Sequence, residues 1–275
     1  MKKFSLIIVL IFCVAVYFGI RYTASDYDRV LRVGVECDYP PNNWEEGEAS
    51  SSNFPLVNVE KHYAEGYDIQ IAKLVASSIG AKLELKKIAW ENLIPALNGN
   101  EIDAIFSGML DTSERRKLID FSDTYEYRQT EYAVLIHKDT EWSKAKKLTD
   151  FSGAKFVAQA GSNFDTAIEQ LPGAVHLEPV KTVQEVFDKL NRNEADGTVS
   201  DLESINAYVK MYPNLIAIKF PKNETFKFDY TGVCAGVRKT DTKLIQEINT
   251  ALKNISPKDR QRIMDRAISR EWNNI

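Results

Sequence analysis

The chain is poor in the residues that build metal and redox centres. Its 275 residues include 3 His (His62, His137, His176) and 3 Cys (Cys13, Cys37, Cys234), and no pair of them has metal-ligand spacing. A zinc or haem site is therefore excluded as the organising feature, and no metal or other cofactor is implied. A basic excess is lacking too: 35 Lys and Arg stand against 39 Asp and Glu, for a net charge of −4. Nothing is left over to neutralise a phosphate backbone, so nucleic acid is not the partner. The sequence also has no nucleophile elbow, no P-loop and no dinucleotide fingerprint.

Long hydrophobic runs are absent with one exception. Lys2 and Lys3 precede residues 4–20, FSLIIVLIFCVAVYFGI, which carry no charge. As a helix this run would span about 25 Å, near the lower limit for crossing a bilayer. The lysines ahead of it place everything after Arg21 outside the cytoplasm. It reads as an uncleaved membrane anchor. A cleaved signal peptide and a lipoprotein signal at Cys13 are the alternatives, but bulky Tyr22 and Phe12 stand where those signals want small residues. On every reading the folded part is exported. A Cys37–Cys234 bridge is open in an oxidising compartment, although both residues sit in apolar, strand-like segments and read as buried thiols.

What the sequence does have is alternation. Strand patterns at 31–37, 82–88, 103–108, 132–137, 155–160, 175–180, 196–201, 215–220 and 232–237 are interleaved with helical patterns at 67–80, 91–99, 182–193, 202–211 and 241–254. Such alternation predicts an α/β protein with parallel sheets covered on both faces, and the length predicts two lobes. Residues 45–65, with no clear period, read as a surface loop. A faint repeat supports two lobes of one plan. PALNGNEIDAIFSG (95–108) aligns without gaps on DKLNRNEADGTVSD (188–201), sharing Leu, Asn, Asn, Glu, Asp and Ser. The alignment equates Gly108 with Asp201, both at carboxyl ends of strands, where open α/β sheets bind ligands. After the first of these strands, SGMLDTSERRKLIDFS (107–122) turns into a short charged helix. On its own this stretch is either an ordinary turn with solvated charge or half of an anion site.

At this point several segments in order resemble a known family. They are LRVGVECDYPPNNW (31–44), EGYDIQIAKLVASSIG (65–80), WENLIPALNGNEIDAIFSGMLDTSERRKLIDFSD (90–123), VAQAGSN (157–163) and YTGVCAGVRKTDTKLIQEINTAL (230–252). Together they are similar to the type II extracellular (periplasmic) solute-binding proteins of amino-acid ABC transporters, bacterial solute-binding protein family 3. The resemblance implies a two-lobed periplasmic-binding-protein fold. Each lobe is expected to be a mostly parallel sheet flanked by helices, with two crossover strands near 130–137 and 219–231. The implied division is an anchor or signal segment and linker at 1–28, the first part of lobe 1 at 29–131, lobe 2 with hinge at 132–220, and the second hinge strand with the return to lobe 1 at 221–275. The implied partners are an amino acid and a membrane permease, with the protein itself a monomer at the outer face of the membrane. Two other functions on the same fold are a cyclohexadienyl (prephenate or arogenate) dehydratase-like enzyme and a ligand-sensing domain.

A free amino acid is a zwitterion, so its site needs a cation and donors for the carboxylate and an anion for the ammonium. Arg115 suits the carboxylate because its planar fork makes two parallel charge-assisted bonds. The turn Gly161, Ser162, Asn163 opens a helix and would add backbone N–H donors. By resemblance Asp201 holds the ammonium, with the Gly108 carbonyl and Ser107 beside it, while Tyr39 and Trp90 sandwich the ligand side chain. As an N-cap for the following helix, Asp201 also has an ordinary structural reading. Two positions depart from the family pattern. Leu110 replaces a common Ser or Thr, removing a hydroxyl from the site. Glu36 replaces a common Asp and, if it faces the cleft, favours a basic or polar ligand side chain by charge and cation–π attraction.

Overall fold

A computed structural model describes residues 27–126, 131–221 and 223–273. The anchor expected at 4–20 lies outside the described residues, and among these no helix is long and apolar enough to cross a membrane.

Two five-stranded sheets form the two lobes. The first orders its strands Lys82–Lys87, Val30–Val35, Ala104–Ile105, Val233–Val237, Asp120–Glu126, and the second Val175–His176, Lys155–Phe156, Gly197–Asp201, Tyr132–His137, Leu215–Ile218. In each, four strands share one direction and one opposes them: Val233–Val237 in the first and Tyr132–His137 in the second. The opposed strand is in both cases the one that arrives from the other lobe. It starts at the edge where its neighbours end, so that edge of both sheets faces the cleft. The aligned repeat falls on equivalent strands, Ala104–Ile105 and Gly197–Asp201.

The strand sequences explain the burial. In Tyr132–His137 every residue is buried. Tyr132, Val134 and Ile136 join a core containing Phe151 and Phe156, while Ala133 and Leu135 join another containing Phe187, Leu190 and Ile205. A continuous apolar run is the pattern of a strand covered on both faces. In the first sheet Leu31, Val33 and Val35 pack with Ile69, Ile71 and Ile248, and Ile105 packs on the other side with Leu93, Leu97 and Ile102.

Three readings are corrected or extended. Residues 45–65 are not a plain loop. Asn43–Glu46, Phe54–Pro55 and Tyr63–Glu65 join Asp38–Tyr39 in a small antiparallel sheet. Its strands are too short to show a period of two. The link back from lobe 2 between Ile218 and Val233 has no strand among its described residues; it carries Phe228 and Tyr230 onto the Tyr132 ring, with Phe226 against Phe228. Helix Pro257–Asn273 closes lobe 1 through Met264 and Ala267, which pack against the core. Cys37 and Cys234 are buried free thiols.

Candidate functional site

The carboxyl ends of the strands deliver the site. Val30–Val35 runs into Glu36, Ala104–Ile105 into Ser107 and Gly108, and Gly197–Asp201 ends on Asp201, while the two arriving strands begin at Tyr132 and Val233. All of these line one cavity between the lobes, together with Tyr39, Trp90, Leu110, Gln159, Ser162, Asn163 and Phe164. Of the residues singled out in the sequence, only Arg115 and Gly161 are outside its lining.

Arg115 sits on the short helix Ser113–Leu118, capped by the Thr112 hydroxyl. It is 9% exposed. Its Nη1 donates to the Leu110 carbonyl at 2.9 Å and its Nη2 to the Gly161 carbonyl of the other lobe at 3.0 Å. The guanidinium carbon lies 5.0 Å from the Trp90 ring centroid. Among the described residues it forms no ion pair. Burial lowers its pKa to about 10, so it stays charged at neutral pH. A buried cation satisfied only by neutral acceptors and a ring has unused capacity for an anion.

Asp201 lines the cavity from lobe 2, and its two carboxylate oxygens have different partners. One oxygen caps the helix Leu202–Met211 by accepting the Ser204 N–H at 2.9 Å. The other accepts the Tyr39 hydroxyl at 2.5 Å, across the cleft. Tyr39 in turn lies against Gly108, whose φ is +61°; a Cβ there would come 2.9 Å from the Tyr39 ring. The turn at 161–163 differs in detail from the expected set of free donors. The Ser162 N–H is bonded to the Gln159 carbonyl at 3.1 Å, and the Ser162 hydroxyl caps helix Asn163–Ile168 through Asp165. Asn163 donates through its amide to the Tyr132 hydroxyl at 3.3 Å.

Glu36 is 6% exposed and faces the cavity. Its carboxylate accepts the Gln159 amide, and its N–H donates to the Ser107 hydroxyl at 3.0 Å. Burial pushes its pKa up to about 8; Asp38 and Glu91 push the same way, while the Gln159 bond and Lys87 oppose them. Leu110 presents a buried side chain to the cavity where a hydroxyl was expected, and contributes its carbonyl to Arg115.

Two buried carboxylates hold this wall in place. Asp68 accepts the Tyr125 hydroxyl at 2.7 Å, the Asn43 amide at 2.8 Å and the Gly108 N–H. Burial raises its pKa to about 7 against those bonds. Asp111 accepts the N–H groups of Thr231 and Gly232 at 2.8 and 3.1 Å, and pairs with Arg116. Burial alone would raise its pKa, but these bonds hold it below the usual range. The Arg-Arg pair therefore divides its work. Arg115 reaches across to the Gly161 carbonyl of the other lobe, and Arg116 helps Asp111 pin the returning chain. Tyr132, Gln159 and Phe164 were missed as site residues. Their signal was place alone: the first residue of an arriving strand and the flanks of the 161–163 turn.

The chain is similar to known proteins over most of its length. The sequence profile of the bacterial extracellular solute-binding proteins, family 3, matches residues 31–270. The glutamine-binding protein of Geobacillus stearothermophilus is 32% identical over 66% of this chain and 67% of its own. The ABC transporter arginine-binding protein 1 of Escherichia coli is 27% identical over 82% of this chain and 84% of its own. A solved substrate-binding protein of an amino acid ABC transporter superposes with a TM-score of 0.73 at 25% identity, covering 87% of this chain and 99% of that one.

Proposed function

The chain belongs to the bacterial extracellular solute-binding proteins of family 3, and from that membership we propose a specific mode of action. The protein is the extracytoplasmic amino-acid-binding component of an ABC transporter, and its two lobes close on one polar amino acid. The lobes are residues 29–131 with 221–275, and 132–220. Residues 4–20 tether the protein as a monomer at the outer membrane face, where it hands its solute to a permease. The cleft binds and releases the amino acid unchanged.

The observation that carries this reading is Arg115: a buried, charged guanidinium that reaches from lobe 1 to the Gly161 carbonyl of lobe 2 and has no ion pair among the described residues, with the acid Asp201 lining the cavity from lobe 2. That polarity matches a zwitterion, whose carboxylate would take over Arg115's hydrogen bonds while its ammonium meets Asp201 and the Gly108 carbonyl. The ligand side chain then extends between Tyr39 and Trp90 toward Glu36 and Gln159. Glu36 and Gln159 select a side chain ending in N–H donors, an amide or a guanidinium. Relatives named for glutamine and arginine are in keeping with that choice. Calorimetry of the full chain in detergent with L-arginine and L-glutamine tests the reading: one of them should bind and be recovered intact. Turnover of prephenate or arogenate in place of such binding would overturn it in favour of a dehydratase.

A further inference from the structure

Asp38 stands outside that cavity's lining, with its backbone fixed in one lobe and its carboxylate bonded to the other. Its strand Asp38–Tyr39 pairs with Asn43–Glu46, and the turn between them is held by the Tyr67 N–H on the Pro41 carbonyl at 3.1 Å and the Asp68 N–H on the Asn42 carbonyl at 2.9 Å. This is a rigid mount within lobe 1. Nevertheless, among the described residues the carboxylate has hydrogen-bond partners only in lobe 2. It accepts the Val183 N–H at 3.0 Å and the Gln184 N–H beside it.

Val183 and Gln184 open the helix Val183–Asn191. A helix leaves its first N–H groups without partners of its own. Here the Thr182 hydroxyl accepts from Glu185 at 3.1 Å, and the two N–H groups before it go to Asp38. A negative charge is also favourable at that end of the helix. The residues after Asp38 meet the start of a second lobe-2 helix: Tyr39 bonds Asp201, its N-cap, and the Pro40 carbonyl accepts the Ser204 hydroxyl at 3.4 Å.

We propose that Asp38 is a positioning residue that sets the balance between open and closed lobes, by capping the lobe-2 helix Val183–Asn191 from lobe 1 only when the cleft is shut. The proposal rests on the two-lobe binding function above. Opening hands these N–H groups to water, so the contact favours the closed state without touching the solute. A bias on closure multiplies the apparent affinity of every solute by one factor and leaves their ratio unchanged. Glu36, which faces the cavity, would instead change the ratio.

The test uses the full chain in detergent with two changes. Asp38→Ala removes the acceptor. Val183→Pro removes one donor at the first helical position, where proline is well accommodated. Asp38→Ala should weaken both L-arginine and L-glutamine by about 2- to 30-fold, the range a helix cap supplies. The unliganded melting temperature should move by less than about 4 °C. In a Val183→Pro background, Asp38→Ala should cost clearly less than it does alone. Spin labels at Leu74→Cys in lobe 1 and Val175→Cys in lobe 2, both exposed positions, in a Cys13→Ser background, read the lobe separation with no solute present. Asp38→Ala should shift that distance distribution toward longer values. An unchanged distribution or full additivity with Val183→Pro would each overturn the proposal. Should neither amino acid bind the wild type, the binding function fails, and the distance measurement still decides on Asp38.

Discussion

Glu36 makes the pH dependence of binding diagnostic of the ligand's charge. Burial between the lobes pushes its carboxyl up from the ordinary 4.5 to about 8, and parting the lobes should rehydrate it and return it toward the ordinary value. A group whose pKa rises on closure favours the closed state fully below the lower value and loses that contribution as pH rises through the upper one. Closing on a neutral side chain should therefore take up a proton between these values. The affinity for L-glutamine should fall about tenfold per pH unit, or about 100-fold from about pH 5.5 to about pH 7.5. A guanidinium beside Glu36 keeps it ionised in the closed state, so the affinity for L-arginine should be nearly flat over the same range. The groups facing Glu36 are Asp38 and Glu91, which raise its pKa, and Gln159 and Lys87, which lower it. Glu36→Gln isolates the effect from all four. Calorimetry in buffers of different ionisation enthalpy reads the proton count directly. A neutral ligand that binds without proton uptake, or a slope that survives in Glu36→Gln, would refute the reasoning.

Other perturbations separate binding from stability. Arg115→Ala should lose at least about 100-fold in affinity, since charge-assisted bonds are worth about 1.5–3 kcal/mol each. Arg115→Met should leave the unliganded protein as stable or slightly more so by thermal melt, because it removes a buried charge that has no ion pair among the described residues. Gly108→Ala combines a left-handed backbone with a 2.9 Å approach to the Tyr39 ring. It should cost about 1–2 kcal/mol in denaturant melts and weaken binding by displacing Tyr39 from Asp201. Asp68→Ala strands the Tyr125 hydroxyl, the Asn43 amide and the Gly108 N–H. It should cost about 3–5 kcal/mol by urea unfolding, and Asp68→Asn less, because an amide oxygen can still accept.

The α/β alternation was legible because buried strands here are continuous apolar runs. YAVLIH, for example, is a strand over its whole length, and LESINAYVKM spans the helix Leu202–Met211. The edge strand Asp120–Glu126 was not legible. Its sequence DFSDTYE is polar, and its place in the sheet is fixed by pairing with Val233–Val237, more than a hundred residues away. The antiparallel sheet within 38–65 escaped for the same reason, its strands running for two to four residues. At the site, the charged pair and the repeat pointed to the cleft wall, since strand ends can be placed by pattern. Gln159 and Tyr132 could not be placed that way. They reach the cavity only through the approach of one lobe to the other, which no local spacing encodes. The Ser162 N–H is a separate case: its bond to the Gln159 carbonyl is local, set by the form of the turn.

The central claim is that the cleft reads both charges of a free amino acid, Arg115 taking the carboxylate and Asp201 the ammonium. The most direct measurement compares, by calorimetry on the full chain, the amino acid that binds with its methyl ester and its N-acetyl derivative. The account predicts that each blocked form loses about 100-fold or more in affinity, and that the ester loses almost nothing further in Arg115→Ala. An ester or N-acetyl form that binds like the free amino acid would contradict it.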